Sequence, residues 1–444
     1  MGYNIFYSAI SLVFSLGILL VAVFAKNIVG TWINPASIFS GFWFLFSVVP
    51  MVIGWGIPIN PAAVLYILLF LAIFSSTSIF FRWEMAFHLN KEKSPAASIF
   101  DSRYLFYTLI VISVSIAIFF VIDLSFQGLS ILVDIFGIAA QYAGLHYSGE
   151  LVQNVYIKIA TILSFPCVAI AGLLGTSTSN RMRCVVSIFL GFVPSIFLIF
   201  FQGAKGSLFL SAALFFGSYL IVKIYDGDFS IFSGKFFARA VFAMMVIVVF
   251  VTISFVTKGG GDGGDFDEVL SHLKYSFLSY SSGHLFAFSD WFTDRYFYAS
   301  NLNFRKEEWT LGFYTFMSIF QFFGDDRFVP LGVYDEYFDH AGMLTTNIYT
   351  VFRGLISDFS LVGSFAFSLV FGFLCNAIFY NLLSKRFSYF SIAFFIFSIA
   401  IFYQSYIISS LTWLSIPVSF LLLLVILILC GRKGLFGYEL LKKN

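Results

Sequence analysis

Two cations beside apolar segments are the residues of this sequence best placed for chemistry. Lys205 occurs in FFQGAKGSLF, directly before one apolar segment, and Arg353 occurs in NIYTVFRGLISDF, directly before another. A guanidinium fork matches the oxygens of a phosphate group, and a lysine adds a point charge. We therefore interpret the two cations as a clamp for a lipid diphosphate. The alternative for each is a side chain that snorkels to a lipid headgroup.

Candidate groups for proton transfer lie near Arg353 in the sequence. His340 is the nearest histidine, and an imidazole titrates near neutrality, which suits a general base. Asp326 and Asp358 are the carboxylates that we expect to replace it in that role, and a structural role stays open for all three. The side chains expected to bind substrate are Lys205, Arg353, Arg327, Asn347, Tyr349, Trp291 and Tyr298.

Most of these residues belong to one hydrophilic interruption of the chain. It covers residues 257–345 and holds 13 of the 23 acidic residues and three of the five histidines. Ionisable groups concentrate at functional sites, so we expect the chemistry here. Its front, TKGGGDGGDFDE, is interpreted as a flexible hinge, because its acid spacing does not match a calcium-binding loop. Residues 269–292 and 313–323 predict amphipathic helices that lie along the membrane surface as a lid.

The composition is that of an integral membrane protein. Of the 444 residues, 60% are hydrophobic and 11% are charged, whereas about 25% are charged in a soluble protein. One membrane span takes about 20 apolar residues, and we predict about eleven spans. The predicted spans cover residues 5–25, 36–56, 62–81, 104–122, 155–175, 184–201, 207–224, 238–256, 361–380, 388–407 and 411–430.

The distribution of positive charge predicts the orientation. If alternate loops are assigned to the cytoplasm, they carry 16 cations, whereas the short loops on the other side carry only Lys158 and Lys205. The positive-inside rule then places the amino terminus and the long loop outside and the carboxyl terminus inside. The expected parts are residues 1–256 with spans one to eight, residues 257–345 with the outer loop, and residues 346–444 with an entry helix, three spans and a cytoplasmic tail.

Several kinds of chemistry find no support in the sequence. It contains no glycine-rich phosphate loop or nucleotide motif, so we do not expect chemistry driven by cytoplasmic ATP or nucleotide sugars, nor a nucleic-acid partner. The four cysteines lie in or beside apolar segments without CxxC spacing and are interpreted as small hydrophobic residues. We therefore expect neither a metal site nor a cofactor.

Three segments together resemble one family of membrane enzymes. They are GAKG at residues 203–206, which opens a span, TTNIYTVFRGLISDFSLVG at residues 345–363 and NPASIFSGFWFLFSVVP at residues 34–50. With many spans and one large loop in the second half, the chain resembles the Wzy class of bacterial oligosaccharide repeat-unit polymerases. That class resembles the polytopic GT-C glycosyltransferases. Lys205 occupies a position where family members often carry arginine, which loses the bidentate geometry.

The resemblance implies a fold and an activity. The implied fold is an all-α polytopic membrane protein of the bacterial inner membrane, GT-C-like, with a large periplasmic loop that carries interfacial helices. The implied activity is transfer of a growing glycan from undecaprenyl diphosphate to a sugar hydroxyl of an incoming undecaprenyl-diphosphate repeat unit. The product would be an O-antigen, an enterobacterial common antigen or a capsule. The implied partners are these lipid-linked oligosaccharides, the lipid bilayer, a chain-length regulator and a flippase.

Two other activities remain open at this point. An O-antigen ligase uses the same donor but transfers the glycan to a lipid A core. A flippase or transporter of lipid-linked sugars would be expected to show internal repeats and charged groups within its spans. The sequence shows neither feature, and the long outer loop favours a polymerase over a ligase.

Overall fold

Helices dominate the described part of the chain. The computed structural model describes residues 2–91, 99–129, 137–152, 154–202, 205–231, 245, 248–250, 252, 266–297, 309–330, 332–384 and 388–442. Eight helical segments in these ranges are long and apolar enough to cross a membrane. The protein is thus an all-α membrane protein with several spans, as the sequence predicted.

The described elements follow one another in this order. The first helices are α1 Gly2–Val29, α2 Pro35–Ile53, α3 Pro61–Ser76, α4 Trp83–Asn90, α5 Arg103–Phe126, α6 Ile138–Ser148, α7 Val155–Ser177, α8 Arg181–Gln202 and α9 Lys205–Tyr225. They are followed by α10 Phe266–Tyr296, α11 Met317–Phe322, the strands β1 Phe338–His340 and β2 Leu344–Thr346, and the helices α12 Thr350–Ser384, α13 Tyr389–Gln404 and α14 Ser415–Lys442. Short 3-10 turns occupy Thr77–Phe80 and Ser410–Thr412.

Most of the predicted spans coincide with these helices. The apolar helices Tyr389–Gln404 and Ser415–Gly431 are shorter than the eight long ones. The span predicted at residues 238–256 lies almost wholly outside the described residues, so the total of eleven stays a prediction. Outside the spans, α10 confirms the helix predicted at residues 269–292, and α11 covers the middle of the one predicted at residues 313–323.

Local sequence explains where the second and third helices begin. The side-chain oxygens of Asn34 and Asn60 accept hydrogen bonds from backbone N–H groups in the first turns of α2 and α3. Pro35 and Pro61 follow at the first helical position, where a missing N–H costs nothing. The asparagine N-cap and the proline that follows it therefore fix the first residue of each helix.

The chain folds into two compact units, each drawn from separate stretches of sequence. The first unit comprises Met1–Trp83, Lys274–Tyr380 and Ile401–Leu414. The second comprises Glu84–Leu273, Asn381–Ala400 and Ser415–Asn444. The parts expected from the sequence follow chain order, whereas the structure groups residues 274–345 with the first three helices.

In the first unit, small and polar residues bring α12 close to α3. One face of α12 carries such a residue every four positions, namely Ser364, Ser368, Gly372 and Asn376. The Ser368 hydroxyl donates to the Phe70 carbonyl at 2.6 Å, and a Cβ at Gly372 would lie only 2.6 Å from the Phe74 carbonyl oxygen. Small residues at this spacing allow helices to approach closely in a membrane. The contact fixes α12, whose first turn carries Arg353.

A histidine of α10 compensates for a proline of α2 in the same unit. Pro50 has no N–H, so the Phe46 carbonyl one turn earlier lacks its helical donor. His284 Nε2 lies 2.8 Å from that carbonyl oxygen, and a carbonyl can only accept, so Nε2 donates. Burial lowers the pKa of His284 to about 4, which keeps the ring neutral. The hydrogen bond ties α10 to α2.

In the second unit, a buried carboxylate joins the ends of several helices. Asp123, near the end of α5, is fully buried. It accepts hydrogen bonds from Asn154 Nδ2 at 2.6 Å, Gln127 Nε2 at 3.2 Å, the Tyr142 hydroxyl at 3.3 Å and Gln202 Nε2 at 3.4 Å. A buried charge is tolerated where such donors surround it. Because Gln202 ends α8, this network fixes the chain just before residue 205.

Candidate functional site

The guanidinium of Arg353 is the centre of the candidate site. Arg353 lies in the first turn of α12 and is 1% exposed. Its Nη2 forms an ion pair with Glu336 Oε2 at 3.1 Å. Its Cζ lies 3.9 Å from the ring centre of Tyr334, 4.4 Å from that of Tyr349 and 5.6 Å from that of Trp291. The carboxylate and the ring faces replace water around the buried charge.

A hairpin and its flanks supply most of these partners, and we call residues 332–349 the cover segment. Tyr334 and Glu336 precede β1, and Tyr349 follows β2. Between the strands Ala341 and Gly342 have positive φ values of 51° and 68°, and the Met343 N–H donates to the His340 carbonyl at 3.0 Å, which closes the turn. The cover segment thus folds back over Arg353, which follows it directly in the chain.

Glycines seat the cover segment. A Cβ at Gly283 of α10 would lie 2.7 Å from the Thr346 side chain, so the missing side chain makes room for β2. Within the cover segment, a Cβ at Gly332 would lie 2.1 Å from Asn347 Nδ2. Asn347, expected as a substrate-binding residue, is therefore half-buried against its own segment.

Asp358 anchors a different part of the chain. Its carboxylate is fully buried. It accepts hydrogen bonds from the backbone N–H groups of Tyr314 at 3.0 Å and Thr315 at 2.6 Å, and from the hydroxyls of Thr310 and Thr315. Four donors fill the acceptor positions of a carboxylate. This geometry suits holding residues 310–315 and does not suit removing a proton from a substrate.

Strained backbone brackets the helical piece that carries Arg353 and Asp358. Thr350 has φ of 67°, and Ser360 has φ of 63° with ψ of 175°. Such conformations cost about 1–3 kcal/mol in a residue other than glycine and occur where the surroundings impose them. At Thr350 the hydroxyl offsets part of the cost by accepting the Phe352 N–H at 3.2 Å. Residues 350–359 are therefore a separate helical piece at the start of α12.

Arg327 belongs to a second, more exposed cluster. Its Nε lies 2.9 Å from Asp325 Oδ1, and its Cζ lies 3.7 Å from the ring centre of Phe313. Hydrogen bonding to Asp325 raises the pKa of Arg327, and the same contact lowers the pKa of Asp325. Asp325 is therefore the partner of Arg327, and Asp326 beside it is an exposed carboxylate.

His340 lies at the end of β1 and is half-buried. Its backbone pairs with Leu344. Among the described residues, none forms a hydrogen bond, ion pair or ring contact with its imidazole. The structure thus does not link His340 directly to Arg353, and its role as the base stays a prediction.

Two further expected residues are only partly covered by the structure. Lys205 is the first residue of α9, in the second unit, and its side chain lies outside the described residues. Tyr298 lies outside them altogether. The clamp of Lys205 with Arg353 therefore also stays a prediction.

Two residues that contact Arg353 are not predicted by the sequence. Glu336 and Tyr334 give no signal, because no local spacing links them to Arg353. Burial raises the pKa of Tyr349, and the charge of Arg353 opposes this.

The fold and the site define an α-helical membrane protein with a buried arginine surrounded by aromatic rings and carboxylates. Comparison of the chain with known protein families, with curated proteins and with solved structures finds no match. A functional proposal must therefore rest on these residues and on the resemblance described above.

Proposed function

We propose that this protein is a membrane glycosyltransferase that polymerises lipid-linked oligosaccharide repeat units. It would transfer a growing glycan from undecaprenyl diphosphate to a sugar hydroxyl of an incoming undecaprenyl-diphosphate repeat unit, on the periplasmic face of the bacterial inner membrane. The observation that carries the proposal is the buried Arg353 at the start of an apolar helix. An ionisable residue in such a position marks a functional site in a membrane protein.

The proposed reaction requires only a few functional groups from the enzyme. The bond between the anomeric carbon and a diphosphate is already activated, so no nucleotide is needed. The enzyme must hold the departing diphosphate, orient the acceptor hydroxyl and accept its proton. A guanidinium is suited to the first task, because its fork donates to two oxygens of one phosphate group.

The ion pair of Arg353 suggests how the site could bind an anionic substrate. Glu336 compensates the buried charge at 3.1 Å, and without an anion that charge would be strongly destabilising. A diphosphate carries the same kind of oxygens as the carboxylate. In this proposal the substrate diphosphate replaces the Glu336 carboxylate as the anion that pairs with Arg353.

This exchange requires movement of the cover segment. Arg353 and Tyr349 are buried, and Tyr334 is 4% exposed, so a lipid diphosphate cannot reach the guanidinium while the segment is closed. Displacing Glu336 breaks the ion pair that joins the cover segment to Arg353. Trp291 is also buried, so it supports Arg353 from α10 and does not present a free face to a sugar.

The remaining cations fit secondary tasks. The Arg327 side chain is 43% exposed and its Cζ lies 3.7 Å from the ring centre of Phe313, which suits contact with the sugar portion of a substrate. Lys205 is proposed as a second cation for the diphosphate.

Purified protein in liposomes with a single lipid-linked repeat unit tests the proposal. A polymerase produces a ladder of products that differ by one repeat unit. A lipid that crosses the bilayer without any ladder would instead indicate a flippase. A glycan that is transferred once, and only when lipid A core is supplied, would indicate a ligase.

A further inference from the structure

A group of large apolar side chains outside the predicted spans is exposed. We call residues 309–328 the aromatic segment, and in it Phe322, Phe323 and Phe328 are 69%, 81% and 89% exposed. Trp309 and Leu311 are exposed as well. The ring centres of Phe322 and Phe323 lie 5.4 Å apart, edge to face. Exposed apolar side chains of this size mark a surface that contacts another apolar phase or molecule.

The buried side of the aromatic segment is fixed to α12. The carboxylate of Asp358 binds residues 310–315, as described above. The Phe316 ring centre lies 6.3 Å from that of Phe367, which belongs to the apolar part of α12. Val370, about one turn further along α12, is exposed, as expected where a membrane helix faces lipid. The aromatic segment is thus anchored to a helix that is long and apolar enough to cross the membrane.

A second anchor joins the aromatic segment to the chain between α13 and α14. The Ser318 hydroxyl donates to the Leu411 carbonyl at 2.6 Å. Trp413 and Leu414 follow soon after and are exposed, and the apolar helix α14 begins at the next residue. Tryptophan is enriched where membrane helices meet the lipid headgroups. The two anchors therefore place the aromatic segment at the edge of the bilayer.

The charged residues of the aromatic segment fit a membrane interface. They are Asp325, Asp326 and Arg327, and two of them pair, with Arg327 Nε 2.9 Å from Asp325 Oδ1. Charged groups are costly at the bilayer centre, whereas an amphipathic segment at the interface buries only its apolar side chains. The exposed Asp326 therefore limits how deeply the aromatic segment can lie.

We propose that the aromatic segment inserts into the leaflet of the bilayer that meets the start of α12. In this arrangement Phe322, Phe323 and Phe328 contact lipid acyl chains, and Asp326 stays among the headgroups. Phenylalanine has no hydrogen-bonding group, so acyl chains suit its whole ring, whereas the residues that dominate binding between proteins are mainly tryptophan, tyrosine and arginine. The partner is the bilayer lipid itself, and the inference does not depend on the proposed glycosyl transfer.

Insertion also explains how a buried arginine stays close to the membrane surface. The Tyr314 ring of the aromatic segment stacks on the Tyr334 ring of the cover segment, with the ring centres 5.5 Å apart. The other contact of Tyr334 is with Arg353, whose Cζ lies 3.9 Å from its ring centre. The inserted segment therefore contacts the cover segment directly and holds the arginine site beside the lipid headgroups.

Spin labelling tests the insertion in liposomes of phosphatidylethanolamine and phosphatidylglycerol. The four native cysteines are replaced by alanine, and Phe323→Cys and Phe328→Cys each carry a nitroxide label. Electron paramagnetic resonance then compares collisions with oxygen, which concentrates among acyl chains, and with a water-soluble nickel chelate added to both sides. Val370→Cys is the matched control for a side chain that faces lipid, and Asp226→Cys, in the turn after α9, is the control for water.

The ratio of oxygen to nickel collisions decides the outcome. At residues 323 and 328 it should be close to the ratio at residue 370 and well above the ratio at residue 226. Labels that meet the nickel chelate as often as the label at residue 226 would overturn the insertion. Labels shielded from both reagents would overturn it too, because a second copy of the chain would then cover the rings.

A second variant covers the case in which the protein without cysteines does not fold. Phe328→Trp keeps all native cysteines and adds an eighth tryptophan to the seven of the chain. The difference in fluorescence between this variant and the wild type reports on residue 328 alone. Lipids brominated in their acyl chains should quench this difference, and iodide in the water should not. Quenching by iodide and not by the brominated lipids would place residue 328 in water and refute the proposal.

Discussion

Glu336 Oε2 lies 3.1 Å from Arg353 Nη2, so a carboxylate of the chain itself compensates the central cation of the site. The two residues are 17 positions apart in the chain, and the hairpin between them brings them together. The ion pair thus serves both the stability of the buried arginine and the closure of the cover segment.

Replacing Glu336 by glutamine should make this dual role measurable. The variant removes the carboxylate that forms the ion pair with the buried Arg353, and we expect a loss of about 1–3 kcal/mol in the free energy of unfolding. Pyrophosphate, which supplies the missing anion, should raise the unfolding temperature of the variant more than that of the wild type. Thermal unfolding in detergent measures both effects, with Glu150→Gln as an exposed control. Equal responses of variant and wild type to pyrophosphate would contradict the exchange of anions.

Replacing Arg353 by alanine should abolish chain extension while the protein remains inserted. Loss of a donor to a developing negative charge costs about 100-fold to 1,000-fold in rate. Arg353→Lys keeps the charge but loses the fork, and its activity should stay far below that of the wild type. Lys205→Ala should weaken extension severely. The length of polymer made by cells measures all three, and polymer of normal length from Arg353→Ala would remove the diphosphate assignment.

Replacing Ser360 by glycine should stabilise the protein. The positive φ of Ser360 is strained, and glycine adopts it without that cost, so we expect a gain of about 1 kcal/mol. The matched control is Ser364→Gly, four residues later in regular helix, where the Ser364 hydroxyl accepts from Tyr66 at 2.8 Å. That change should destabilise by a similar amount. Unfolding temperatures that fall in both variants would contradict strain at residue 360.

Replacing Asp358 by asparagine should destabilise the segment it anchors. An amide offers one acceptor oxygen where the carboxylate has two, and it places a donor against the N–H or hydroxyl groups of residues 310–315. We expect a cost of about 1–3 kcal/mol. Hydrogen exchange at the backbone amides of Tyr314 and Thr315 should accelerate, whereas in Asp326→Asn, at an exposed carboxylate, it should not. Unchanged exchange in Asp358→Asn would reopen a role for Asp358 in proton transfer.

The features that the sequence predicted well are local ones. A run of about 20 apolar residues forms a helix in a membrane, because a helix satisfies its own backbone hydrogen bonds there. The spans predicted on described residues coincide with helices, although the helix predicted at residues 361–380 begins at Thr350. Arg353 was identified because a cation beside an apolar run is unusual. Its partners Glu336 and Tyr334 were not, because tertiary folding brings them to Arg353 and leaves no spacing signal in the sequence.

Nearness in sequence to Arg353 does not predict contact with it. His340 was preferred because it is the nearest histidine, yet within the described ranges it contacts no residue of the arginine cluster. Asp358 was expected five residues after Arg353, and its hydrogen bonds go to residues 310–315 instead.

The hydrogen bond from His284 to Phe46 also limits which segment of the chain can move to expose Arg353. If α10 swung away, the Phe46 carbonyl would lose the donor that Pro50 cannot provide, and the bonds from Asn60 to Ser289 and Thr293 would break as well. The sequence predicts a lid that includes α10, but these bonds hold α10 in place against α2 and Asn60. In the proposed reaction, access to Arg353 then depends on movement of the shorter cover segment, which ends beside the strained residue Thr350.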